Sequence, residues 1–160
     1  MDSLPGQDDG ALRSTALKAV RRLRGLSAET VASGMNIRLR TYERFEAGQG
    51  RLNIDYIHRF CAVTDSDPHG LLAAIAIGSP EFAVRTAGNK MMTILVILLQ
   101  QLDHEAGDQL GELDARTLIG ALTETFDGLA ATARRRAEEA GRFLQDGADD
   151  LAGRRPRPGR

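Results

Sequence analysis

The 160-residue chain contains one cysteine, which excludes a disulfide framework within it. No cysteine or histidine cluster has metal-ligand spacing, and His58, His69 and His104 are scattered along the chain. No metal is therefore expected. A nucleophile elbow, a phosphate-binding glycine loop and a zinc-hydrolase motif are all missing, so the reading is of a non-enzyme with no catalytic residue and no cofactor. Long apolar runs are scarce as well. The longest, residues 91–99, is interrupted by Thr93 and is about half of the roughly 20 residues that a membrane span requires. It is expected to be buried in protein, with no membrane partner. The amino terminus lacks a basic segment followed by an apolar one, which argues against a secretory signal and for the cytoplasm.

What is present is helical patterning. Residues 12–24, 28–35, 39–47, 54–64 and 68–77 read as five helices within a unit spanning 11–78. Val31, Ala32 and Met35, then Ile37, then Tyr42 and Phe45, are spaced for two short helices meeting at a sharp turn. Ser27 can cap the first of these through its hydroxyl, and Leu26 can staple against Val31. Asn36 stands where the chain must reverse, since asparagine tolerates the left-handed conformation. Gly48 supplies an unhindered left-handed stop for the second helix. Pro68 suits a first helical turn.

The register of Leu17, Val20, Arg21, Arg24, Gly25, Leu26 and Ser27 through Glu46, Ala47 and Gly48 to Ile54, Ile57, Phe60, Cys61, Val63, Leu71 and Leu72 resembles the Cro/CI-type (XRE) helix-turn-helix family of phage and bacterial repressors. About 56 of the 160 residues are covered. The resemblance implies an all-α fold with a five-helix lambda-repressor-like DNA-binding domain. Two departures are visible: Ala28 stands where the family often has glutamine, and Arg38 replaces the usual serine or threonine cap of the recognition helix. By the same resemblance Leu39, Arg40, Glu43 and Arg44 enter the major groove and read bases. Arginine can grip guanine O6 and N7 with two donors, and Leu39 can rest on a thymine methyl. Glu43 either accepts from cytosine N4 or orients Arg40 or Arg44. Ser27, Arg38, Thr41 and Arg51 are candidates for contacts to the DNA backbone, which fix orientation without reading sequence. Arg21 and Glu46 occupy the positions at which the family joins its first and third helices by an ion pair.

Charge is distributed unevenly. Residues 11–60 carry ten arginines or lysines against four acids, whereas residues 61–153 carry seven against fifteen. The basic surface thus coincides with the expected DNA-binding unit, where phosphate neutralisation supplies sequence-independent affinity.

The rest of the chain reads as a leader at 1–10, a helical dimerisation or partner domain at 79–152 and a disordered Arg/Pro tail at 153–160. Met91, Ile94, Leu95, Ile97, Leu98 and Leu102 form an apolar surface too wide for one thin partner. After a bend at 107–113, Asp114 can cap a second long helix. Along it Leu118, Leu122, Phe126, Leu129, Ala133, Ala137, Ala140 and Leu144 follow an eleven-residue period, which favours a nearly straight or slightly right-handed pairing. A hairpin of two such helices cannot bury both faces, but two hairpins can form a four-helix bundle. The expected dimer interface is Ile94, Leu98, Leu102, Leu118, Leu122, Phe126 and Leu129; the alternative is that these helices fold back as a monomeric core. Together the features predict a nucleoid-associated transcription regulator that binds double-stranded DNA as a homodimer, with the sign of regulation left open. The alternative is a DNA-binding adaptor or antitoxin whose helical half binds RNA polymerase, a toxin or another regulatory protein.

Overall fold

The computed structural model describes residues 7–154, and among them the chain is all-α, with no strand. Helices α1 (Gln7–Leu23), α2 (Ala28–Gly34), α3 (Leu39–Glu46), α4 (Ile54–Val63), α5 (Pro68–Ala76), α6 (Pro80–Ala87) and α7 (Met91–Ala106) are followed by a 3-10 helix (Gly107–Glu112) and α8 (Ala115–Gly153). The chain divides into two compact units, one running to Glu105 and one beginning at Ala106. No single described helix is long and apolar enough to cross a membrane.

One apolar core organises the first unit. Leu17 and Val20 from α1, Val31 from α2 and its C-cap Met35, Tyr42 and Phe45 from α3, Ile57 and Phe60 from α4, and Leu71 from α5 are all buried. Each large side chain so enclosed contributes about 1.5–3 kcal/mol. Phe45 links the helices through rings at 6.2 Å to Tyr42, 5.7 Å to Tyr56 and 6.2 Å to Phe60. The lone cysteine, Cys61, lies in this core, and burial pushes its thiol up to about 11. It is therefore an unreactive packing residue at neutral pH.

Two boundaries differ from those read in the sequence. Helix α1 begins at Gln7, so residues 7–10 belong to it and not to a leader; residues 1–6 lie outside the described residues. The first unit also extends past residue 78, because α6 packs on α1 and α5 and buries Ala83, Thr86 and Ala87. These small side chains permit close approach: a β-carbon at Gly70 of α5 would collide with the Thr86 hydroxyl. At the other end, Gly153 closes α8 and Arg154 is its C-cap, while residues 155–160 of the expected tail lie outside the described residues.

Within the second unit, α8 is a single helix of 39 residues, roughly 58 Å long at 1.5 Å per residue. Asp114 caps it, its carboxylate accepting from the Thr117 N–H at 2.7 Å.

Candidate nucleic-acid interface

Helix α3 is short, and its placement depends on how its two ends are made. It follows α2 through a turn in which Asn36 adopts φ 55, the left-handed conformation. The Asn36 N–H bonds to the Ser33 carbonyl and the Ile37 N–H to the Ala32 carbonyl, each at 3.0 Å, which closes the last turn of α2. At the far end of α3, Gly48 adopts φ 72, and paired bonds run from the Gly48 N–H to Phe45 and from the Gln49 N–H to Arg44. Ser27 begins α2 by accepting from the Thr30 N–H at 3.1 Å. Arg38 begins α3 with no side-chain cap, and of the first-turn N–H groups that of Thr41 bonds the Arg38 carbonyl at 2.9 Å, leaving those of Leu39 and Arg40 to face an anion.

The inner face of α3 is fixed by an ion pair that also engages α1. Arg21 donates to Glu46 twice, from Nε to Oε1 at 2.5 Å and from Nη2 to Oε2 at 3.2 Å, and the Tyr42 hydroxyl donates to Oε1 at 2.8 Å. The third donor of Arg21, Nη1, reaches the Leu26 carbonyl at 3.0 Å and so includes the loop before α2. Burial raises the Glu46 carboxyl, but hydrogen bonds from Arg21 and Tyr42 outweigh it and hold the group below its ordinary value. Tyr42 is pushed up, first by burial and then by its bond to Glu46.

A second cation holds the segment after α3. Arg13 of α1 is 5 % exposed, and its Nη2 donates to the carbonyls of Gly48 at 2.6 Å, Gly50 at 2.9 Å and Gln49 at 3.4 Å. Burial lowers the Arg13 pKa, and its Nε lacks a partner among the described residues. The sequence reading missed this residue.

With its inner face anchored, α3 presents Arg40, Glu43 and Arg44 to solvent. Among the described residues none of Arg38, Arg40, Arg44 or Arg51 forms an ion pair, and neither does Glu43. The orienting pair between Glu43 and its arginine neighbours is thus not formed in this structure, as suits exposed groups whose mutual attraction gains little against water. Leu39 also departs from expectation. It is half-buried against the core, because it precedes Tyr42 by three positions and Glu46 by seven, on the buried stripe of the helix.

Thr41, Arg44 and Arg51 come together along one shallow groove with Gln49, Asn53 and Tyr56. Arg38 and Leu39 border a separate depression with Glu29, Ser33 and Asn36. Ser27 joins neither; its hydroxyl is engaged in capping. His58 and His69, separate in sequence, meet edge to face at 5.8 Å. Among the described residues no group of histidine, cysteine or acidic side chains could hold a metal ion.

The apolar residues expected at a dimer contact lie on α7 and α8. Ile94, Leu98 and Leu102 on the former, and Leu118, Leu122, Phe126 and Leu129 on the latter, are between 40 % and 53 % exposed. Comparison of the chain with protein-family models, with curated proteins and with solved structures yields no match.

Proposed function

We propose that the protein is a sequence-specific double-stranded DNA-binding transcription regulator of the Cro/CI helix-turn-helix type. In this reading α1 to α5 are the five-helix DNA-binding domain and α3 is its recognition helix. The observation that carries the reading is the division of α3 into two faces. Tyr42, Phe45 and Glu46 are locked inward, while Arg40, Glu43 and Arg44 stand at the surface with no ion pair among the described residues. Arg40 and Arg44 are assigned to guanine edges, Glu43 to a cytosine amino group, and Leu39 to a thymine methyl at the margin of the contact. Arg51, Thr41 and Arg38 serve phosphates, the last beside the uncapped start of α3.

The protein acts as a homodimer on an inverted repeat. The exposed faces of α7 and α8 support this, since apolar side chains at that density gain by being covered. A twofold assembly then offers two recognition helices to half-sites about one helical turn apart. A cytoplasmic, nucleoid-associated location follows from the same reading. The adaptor reading draws on Phe143, Leu144 and Leu151, which are 68–78 % exposed on the distal part of α8 and lie beyond the assigned dimer contact. They would suit a regulatory partner protein such as RNA polymerase or a toxin.

Genome-wide mapping of bound DNA tests the proposal. An enriched palindrome with half-sites about one turn apart is expected. Bound regions without a palindrome, together with a stable heteromeric complex on pull-down, would favour the adaptor.

A further inference from the structure

Helix α7 carries three of the side chains assigned to the dimer contact, yet its partly buried residues are concentrated in its beginning. Met91, Met92, Thr93 and Leu95 are partly buried, whereas every residue from 96 to 105 is exposed. The loop between α4 and α5 holds that beginning. Asp67 of this loop is 2 % exposed. Its Oδ1 accepts from the N–H groups of His69 and Gly70, each at 3.1 Å, and from the Thr93 hydroxyl at 2.8 Å. Its Oδ2 accepts from the N–H groups of Met92 at 2.9 Å and Thr93 at 3.1 Å. One carboxylate therefore caps α5 and α7 together, and its charge is favourable at both N-termini.

Two further ties run through the same loop. Lys90, at φ 55 immediately before α7, pairs with Asp65 at 2.9 Å. Arg24, just past the end of α1, donates to the carbonyls of Thr64 at 2.8 Å and Asp65 at 2.6 Å. Polar contacts thus run from the segment preceding α2 to the first turn of α7.

We propose that Asp67 is a positioning residue that clamps α7 at a fixed angle to the DNA-binding helices and thereby sets the half-site spacing the dimer accepts. This inference rests on the dimeric DNA-binding reading above. The lever is long enough to matter: α7 has 16 residues, about 24 Å, so a tilt of about ten degrees at its start moves its far end by about 4 Å. One base-pair step is about 3.4 Å. A loose joint would blur the register by about that step.

Asp67→Ser separates the two caps. Serine is a favoured N-cap and can still serve α5, but its side chain is too short to bridge to α7 as well. The full chain is assayed on duplexes carrying two selected half-sites whose separation is varied one base pair at a time. The wild type is expected to prefer its best spacing over adjacent ones by roughly tenfold, and D67S by about threefold or less with single-half-site affinity retained. Thr93→Val, which removes only the hydroxyl bond, should fall between them, and Thr93→Ser should match the wild type. Unchanged spacing preference in D67S would overturn the inference, as would an equal loss of affinity at all spacings.

A measurement without DNA separates this inference from the reading beneath it. Spin labels are placed by Glu29→Cys and Gln101→Cys in a Cys61→Ala background, diluted with unlabelled chain. A narrow distance distribution that broadens in D67S supports the clamp even if the wild type binds no duplex; an unchanged distribution removes it.

Discussion

The carbonyl oxygen of Gly10 occupies the space that a β-carbon on Gly48 would need, so α1 and the segment just past α3 meet backbone to backbone. Gly48 is also at φ 72, where any side chain is strained. Gly48→Ala is expected to destabilise the first unit by about 2–4 kcal/mol, strain and overpacking acting together. Calorimetric or denaturant unfolding checks this; a loss no larger than an ordinary surface substitution would show that the contact yields freely.

The bond between Arg21 and Glu46 gives a second prediction. Arg21→Ala leaves a carboxylate that is 9 % exposed with Tyr42 as its remaining side-chain partner, which is expected to cost about 3 kcal/mol. Replacing both residues by alanine should cost less than the sum of the single changes. Strict additivity in the double-mutant cycle would deny the coupling.

Acid should act through Glu46 and Asp67. In each, burial raises the carboxyl and hydrogen bonds more than reverse it, from Arg21 and Tyr42 in one and from Thr93, Gly70 and Met92 in the other. Both folded values are therefore depressed below the ordinary 4.5 and 3.8. Their stabilisation is complete above those ordinary values and is lost as pH falls through the lower folded ones. Urea unfolding across the acid range should show stability level above about pH 5 and declining below about pH 4. Asp67→Asn should make the decline shallower.

On DNA, Arg40→Ala or Arg44→Ala should cost about 1–3 kcal/mol on the preferred site and relax base preference at one position. Arg51→Ala should instead weaken all sequences alike and reduce the salt slope by about one. Titrations of cognate and shuffled duplexes at several salt concentrations distinguish the two. Uniform weakening by Arg40→Ala would reassign that residue to a phosphate.

For assembly, Leu122→Asp combined with Phe126→Asp should yield monomers and impair binding to paired half-sites. Sedimentation gives the mass directly. A dimer that persists in the double variant would place the contact elsewhere.

The core and, Leu39 apart, the two faces of α3 are legible because both depend on local spacing. Val31, Met35, Tyr42 and Phe45 recur at helical intervals, and Asn36 and Gly48 mark the turns that bring them together. The polar joints were not legible. Arg13 is bonded to main-chain oxygens 35 to 37 positions away, which any residue would provide, so no side-chain pattern announces the partnership. Asp67 reaches Met92 and Thr93 across 25 and 26 positions, and nothing local to either end signals it. Ser79 and Pro80 read as a restart of the chain and so assign α6 to the later region, although the small Ala83, Thr86 and Ala87 let that helix approach α5. Gly10 lies within α1 and against Gly48, where a β-carbon on it would meet the Gly48 carbonyl oxygen, and nothing local to either glycine signals that contact.

Arg13 grips the chain after α3 only through peptide oxygens, and so it holds the path of that segment without constraining its chemistry. Gln49 and Arg51 can be exchanged for other side chains while the loop keeps its course. The protein thus carries a replaceable edge beside a permanent frame, and side chains there can be varied with little risk to folding.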